Sequence, residues 1–318
     1  MIRRIPGGGG WLSQAAVQAL VSLLGASLLV WALLPLAPGD PARRILEGQG
    51  IEDPTPAQIE GLRTELRLDR SIPEQYVSWL GRAVRGDLST SWTDGSDVRT
   101  ELLRRAPATA LLAVTAIALA LAIAVPAALL AARFPGRWPD TATRGVALLG
   151  SAVPSFVTSL LLLQVVVVGF GWGSTLTRGT ISDVWLPAAA LAFALAATWS
   201  RLLRASLLEA LSQPYTAMVA ARGASRTRVL VRHALPNASV PLLHAVGLGV
   251  GALLGGAAIV ETVFTWPGVG RYVVSAVQRR DLPVVQGFAM MATLVYVTVS
   301  LSVDGLSRLI DPRLRAPA

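Results

Sequence analysis

The 318-residue sequence contains no cysteine and no lysine, and it has only two histidines. Without cysteine there is no disulfide, no thiolate metal site and no cysteine nucleophile, and nothing about compartment follows. Without lysine the phosphate-cradling pattern G-x-x-x-x-G-K-[ST] has no match, so ATP used through such a loop must be bound by another chain. His233 and His244 do not form an H-E-x-x-H zinc helix. Charge is scarce as well, at 15% of residues, against about 25% in an ordinary soluble domain. What is abundant is apolar: 53% of residues, with mean hydropathy +0.55.

The apolar residues fall in six runs free of Asp, Glu, Lys and Arg, roughly 11–36, 106–132, 145–170, 184–200, 239–260 and 284–303. About 20 helical residues cross a hydrocarbon core of about 30 Å. A charge at the bilayer centre costs roughly 2.5–3.5 kcal/mol. The runs therefore predict six membrane spans, the fourth extending to Leu203 with Arg201 reaching out to the interface. The first run is longer than the apolar core of a signal peptide and predicts an uncleaved first span. Gly7–Gly10 before it reads as a flexible lead-in.

The formal charge is +9, all of it from arginine. With the N-terminus inside, the inner segments hold 14 arginines against four acids, and the outer segments 14 against 15. The positive-inside rule then places both termini in the cytoplasm. A basic balance also suits nucleic acid, but that needs a soluble basic face. Here arginines flank apolar runs, so the bilayer is the expected partner and nucleic acid is not.

The segment 37–105 is expected to be a small helical domain outside the membrane. Thr55 and Gln58 fit a capping box with Pro56 at the first helical position, and Ile59, Leu62 and Leu66 share a face. A second helix begins at Pro73, carries Tyr76, Val77, Leu80 and Val84 on one side, and ends at Gly86. No internal repeat is evident, which weighs against an inverted-repeat secondary transporter.

Residues 205–238, between the fourth and fifth runs, carry Arg222, Arg226, Arg228 and Arg232. Pro214 suits the first turn of a short helix, with Tyr215, Met218, Val219 and Arg222 at helical spacing and Gly223 as its stop. Ser225 caps a second helix to about Leu235, which Pro236 ends. Two readings are open: a helix held among lipid headgroups by arginine, or a helix that enters a groove on a partner protein.

This loop resembles the cytoplasmic loop of ABC importer permeases, whose pattern runs E-A-A-x-x-x-G, then nine residues, then I-x-L-P. Gly223 matches the glycine and Leu235-Pro236 the L-P. The E-A-A positions fall on Ala217, Met218 and Val219, so the acidic residue is missing, and His233 stands at the isoleucine. Further stretches are similar to the dipeptide/oligopeptide/nickel branch: GDPA at 39–42, LRTELRLD at 62–69, QYVSWL at 75–80, GDLSTS at 86–91, HALPNA at 233–238, VETVFTWPGVG at 260–270, DLPVVQG at 281–287 and DPRLR at 311–315. The resemblance spans about 11–315.

It implies an all-α integral membrane fold of six transmembrane helices, with a small helical extracytoplasmic segment after the first span and a MetI-like permease core. The domains are then 1–36, a lead-in and first span; 37–105, outside; and 106–315, a core of five spans holding the coupling loop 205–238. The implied function is the non-catalytic permease subunit of a binding-protein-dependent importer in the bacterial inner membrane. The implied partners are a second homologous permease, two P-loop ATPases and an extracytoplasmic binding protein. ATP and Mg would be bound by the ATPases, with no cofactor in this chain. The coupling helix, about 213–222, would press into an ATPase groove, giving Tyr215, Ala217, Met218, Val219, Arg222, Gly223, Leu235 and Pro236 that role. The branch moves dipeptides, oligopeptides, nickel or metal–chelator complexes; peptides are the expectation and metals the alternative.

Other residues are candidates for the path or its outer gate. Gln164 is the lone amide of the third run. Gly251 lies with Gly247 and Gly255 on a small-residue face suited to close helix packing, within the subunit or against the second permease. Glu261, Trp266 and Pro267 lie on a Pro-Gly turn that suits a re-entrant element at the outer mouth. Glu261 and Asp281 either attract a cationic ligand or pair with Arg271, Arg279 or Arg280. His244 is expected to hydrogen-bond a neighbouring helix. The rival classes are an intramembrane serine protease, for which Ser151 and Ser174 lack a paired base, and a membrane scaffold.

Overall fold

The computed structural model describes residues 8–36, 39–48, 50–66, 68–174 and 176–310. Arg3, Arg4 and the motif at 311–315 lie outside them. The described residues are helical apart from connecting loops and one isolated bridge between Thr90 and Asp97. The first helix, α1 (Gly8–Leu36), already includes Gly8–Gly10, which were expected as a flexible lead-in. Three short helices follow, α2 (Pro41–Gly48), α3 (Pro56–Glu65) and α4 (Ile72–Val84), before the 36-residue α5 (Val98–Arg133). Next come α6 (Trp138–Ala152) and α7 (Ser155–Leu162), the latter running on as a π-helical stretch, Leu163–Gly169. The chain continues through α8 (Trp185–Leu211), α9 (Pro214–Ala221) and α10 (Arg226–Val229). A second π-helical stretch, Leu230–Ala234, joins α10 to α11 (Leu235–Val263), and α12 (Val269–Gln278) and α13 (Leu282–Ile310) complete the order.

Among the described residues five helical stretches are long and apolar enough to cross a membrane: Ser13–Pro35, Val98–Arg133, Trp185–Leu211, Arg226–Val263 and Leu282–Ile310. The third apolar run does not form one straight span. It is α6 and α7 together, bent by 101°. Pro154 is the reason. It has no N–H to continue the ladder, and it holds the preceding Val153 extended, at φ −88° and ψ 120°.

The bundle packs through small residues. Ala116, Ala120, Ala124, Ala128 and Ala132 recur every fourth position on α5 and are fully buried. That alanine face lets α8 approach closely, with Trp199, Leu203 and Leu207 filling the space between them. α11 lies between α8 and α13. A Cβ on Gly249 would come 2.7 Å from Trp199 of α8, and one on Gly247 2.9 Å from Val303 of α13. Gly251 faces Tyr296 of α13, so this part of the glycine face packs within the subunit, while Gly255 meets nothing.

The capping box at Thr55 is present: the Thr55 N–H donates to Gln58 Oε1 at 2.8 Å, and the Gln58 N–H donates back to Thr55 Oγ1 at 3.4 Å. The short helices rest on the spans through Tyr76, whose ring meets Trp31 edge-on at 5.5 Å and whose hydroxyl shares a 2.8 Å hydrogen bond with Ser27. Buried Asp281 clamps the 87–97 loop against the start of α13. It accepts from Ser91 Oγ at 2.5 Å and the Trp92 N–H at 3.1 Å.

Candidate functional site

At one end of the bundle α9 and α10 form an elbow. Gln213 precedes Pro214, whose missing N–H costs nothing in a first turn. Thr216, 3% exposed, donates its hydroxyl to the carbonyls of Leu211 and Gln213 at 2.8 and 2.7 Å, pinning α9 to the end of α8. Gly223 ends α9 at φ +85°, a left-handed conformation that favours glycine. The Arg228 N–H donates to Ser225 Oγ at 3.3 Å, the cap expected for the second helix, and Arg133 donates to Thr227.

Pro236 does not end that second helix. The helix runs on from α10 through the π-helical turn into α11, with Pro236 in the first turn of α11. The π turn takes up the register change: the Leu235 N–H donates five residues back to Leu230. Leu235 is half-buried against the α5–α8 core. Of the other candidate coupling residues, Ala217, Met218 and Arg222 are exposed, Val219 is half-buried and Tyr215 is at the margin of exposure. The Tyr215 hydroxyl faces back to α11, accepting from Asn237 Nδ2 at 3.1 Å. Among the described residues Arg222, Arg226, Arg228 and Arg232 are exposed and form no ion pair within the chain.

Beside the elbow lies a buried ion pair. Asp140, 1% exposed, accepts from Arg204 Nη2 at 2.8 Å and the Gly136 N–H at 2.9 Å. It joins α6 to α8. The positive-inside count treats Arg204 only as an interface charge, and nothing in the local pattern marks Asp140 as its partner.

The turn after α11 lies toward the opposite end and is folded back into the chain. Glu261 and Trp266 are fully buried against this chain's own elements, so neither offers a side-chain surface to a path. Among the described residues Glu261 pairs with no guanidinium. Its carboxylate accepts from the Thr109 hydroxyl at 2.7 Å and the Arg271 N–H at 2.8 Å. Trp266 donates its indole N–H to the Ala108 carbonyl at 3.0 Å and packs among Leu112, Ala188 and Val260. Pro267 is half-buried beside Gly179, Gly251 is half-buried, and Gln164 is exposed on the π-helical end of α7. The hydrogen bond expected from His244 to a neighbouring helix does not form among the described residues: its Nδ1 lies 3.0 Å from the Val240 carbonyl of α11 itself, and its Nε2 is 3.8 Å from Asp304 of α13, beyond hydrogen-bond distance.

Fold and elbow together define a polytopic helical membrane protein with a short, largely exposed apolar helix between its fourth and fifth spans. Known proteins sharpen that class. Residues 10–113 match the N-terminal part, and residues 124–316 the main part, of the family described as the binding-protein-dependent transport system inner membrane component. The chain belongs to this family. It is 36% identical over 289 residues to a glutathione transport system permease protein of Escherichia coli, covering 91% of this chain and 93% of the relative. A Shigella flexneri protein of the same description is 35% identical over the same coverage. Among solved structures, a chain of the inward-facing MetNI methionine ABC transporter aligns with TM-score 0.50 at 18% identity, covering 66% of this chain and 96% of that one. That last likeness is one of fold. The protein is thus a non-catalytic permease of an ABC importer, multi-pass in the inner membrane.

Proposed function

We propose that this permease imports short peptides, with α9 as the surface through which separate ATPases drive it. The peptide reading is carried by the 36% identity, along nearly the whole chain, to permeases described as transporting glutathione, itself a tripeptide. In this reading a second permease completes the path, an extracytoplasmic binding protein delivers the peptide, and two P-loop ATPases bind the ATP and Mg that this lysine-free chain cannot hold in such a loop. Both termini and the elbow face the cytoplasm, as the arginine bias favours. Ala217, Met218 and Arg222, exposed at the elbow, are the contact surface. Gly223 permits its turn, and Leu235 and Pro236 anchor its return to the bundle. Gln164 and Gly251 are the candidates for the path, and the turn of Glu261, Trp266 and Pro267 the candidate for its outer gate.

Uptake in a strain lacking the gene tests the substrate: labelled glutathione and di- or tripeptides are expected to enter only on complementation. Normal peptide uptake without the gene, with loss of nickel or metal–chelator uptake instead, overturns the peptide reading. For the surface, Met218→Asp is the informative change because Met218 is 58% exposed. Leu235→Asp also damages the core. Affinity purification in mild detergent is expected to recover a second permease and ATPases with the native chain, and to lose only the ATPases with Met218→Asp.

A further inference from the structure

The elbow is tied to the bundle differently at its two ends. Its start is pinned to α8 by buried Thr216. Past its end stands Gly223 at φ +85°, with nothing within 4 Å of where a Cβ would lie. A glycine so free is a hinge that can absorb motion. A side-chain cluster crosses it. The Tyr215 hydroxyl accepts from Asn237 Nδ2 at 3.1 Å and donates to the His233 carbonyl at 3.4 Å, while Asn237 Nδ2 also donates to that carbonyl at 2.8 Å. The three groups meet where the π-helical turn passes into α11, beside Pro236, which has no N–H to offer.

We infer that Tyr215 and Asn237 are positioning residues, a strut that makes α9 and α11 move as one body across the Gly223 hinge. Displacement of the elbow then reaches the fifth span directly. There it acts on the close contact of Gly247 with Val303 of α13, since α8, to which Thr216 pins α9, moves with it. Packed contacts of this kind shift between discrete arrangements and do not deform continuously. The inference rests on the reading of α9 as the ATPase-facing surface.

The absence of cysteine makes the test direct. Spin labels on Ala221→Cys, at the end of α9, and Leu248→Cys, in α11, report their separation in the complex purified with its ATPases, without nucleotide and with ATP plus vanadate. In the native background the separation is expected to be the same in both states. With Tyr215→Phe, which keeps the ring, or Asn237→Leu, it is expected to change between the two states by about 2 Å or more, the scale of interface helix shifts. A native separation that changes with nucleotide, or variants as invariant as the native chain, overturns the strut. Absence of ATPases from the native complex overturns the coupling reading and the strut with it. ATPase content measured in every sample keeps the two failures apart.

Discussion

Glu261 illustrates how single residues are held in this protein. Its buried carboxylate accepts from a hydroxyl and a backbone N–H, and glycines let the chain close tightly around it. A Cβ on Gly268 would lie 2.4 Å from the Glu261 carboxyl carbon, and one on Gly270 2.5 Å from the backbone of Ala258. Gly270→Ala is therefore expected to destabilise by about 1–3 kcal/mol through overpacking, read as a fall in the melting temperature in detergent. An unchanged melting temperature contradicts this packing. Gly223 differs, since only its backbone angle is special: Gly223→Asn should be nearly neutral and Gly223→Val should cost about 1–2 kcal/mol. Hydrogen bonds hold two carboxylates of the segment before α5 below the usual range. The Ser96 hydroxyl leads for Asp94, and Thr100 for Asp97. A depressed folded value adds stability above the unfolded value and loses it as pH falls through the folded one. Amide exchange across 91–98 should thus be flat in its protection from pH 8 to 5 and loosen only below about pH 4. Loosening near pH 6 would point to a different group.

Among elements, α6 and α8 are joined by Asp140 and Arg204, and the bend at Pro154 separates α6 from α7. Asp140→Asn leaves the half-buried Arg204 guanidinium facing an amide, and should cost roughly 3 kcal/mol, the low end for breaking a buried pair. Replacing both residues with apolar ones of similar size should recover most of that loss, because no lone charge remains. If the double change is as unstable as the single one, the pair is not what links the two helices. α10 and α11 make the complementary point. A proline in a first turn leaves a helix intact, so Pro236→Ala should keep native insertion and helicity.

For the molecule as a whole, the prediction concerns sidedness. The chain offers a cysteine-free background. Asp53, with a side chain 96% exposed, lies between the first span and α5, and Ala217 lies on the elbow. A membrane-impermeant thiol reagent on intact cells, with the outer membrane permeabilised, is expected to label Asp53→Cys, and to reach Ala217→Cys only after the inner membrane is opened. The reverse pattern overturns the assignment of both termini to the cytoplasm.

The sequence by itself determined the apolar runs, the membrane class, the capping box at Thr55 and the position of the elbow glycine. These rest on local signals: apolar runs long enough for a bilayer, residues three apart at a helix start, and one residue type able to hold positive φ. It also carried the family, through short motifs spread along the chain. Only the tertiary structure decided the rest. Whether Pro154 breaks a span and Pro236 does not depends on whether neighbouring carbonyls find other donors. That Glu261 and Trp266 are buried in the subunit, that Asp140 meets Arg204, and that Tyr215 reaches Asn237 are encounters between residues 22 to 158 positions from their partners. No helical period encodes such contacts; the packing of whole helices places them.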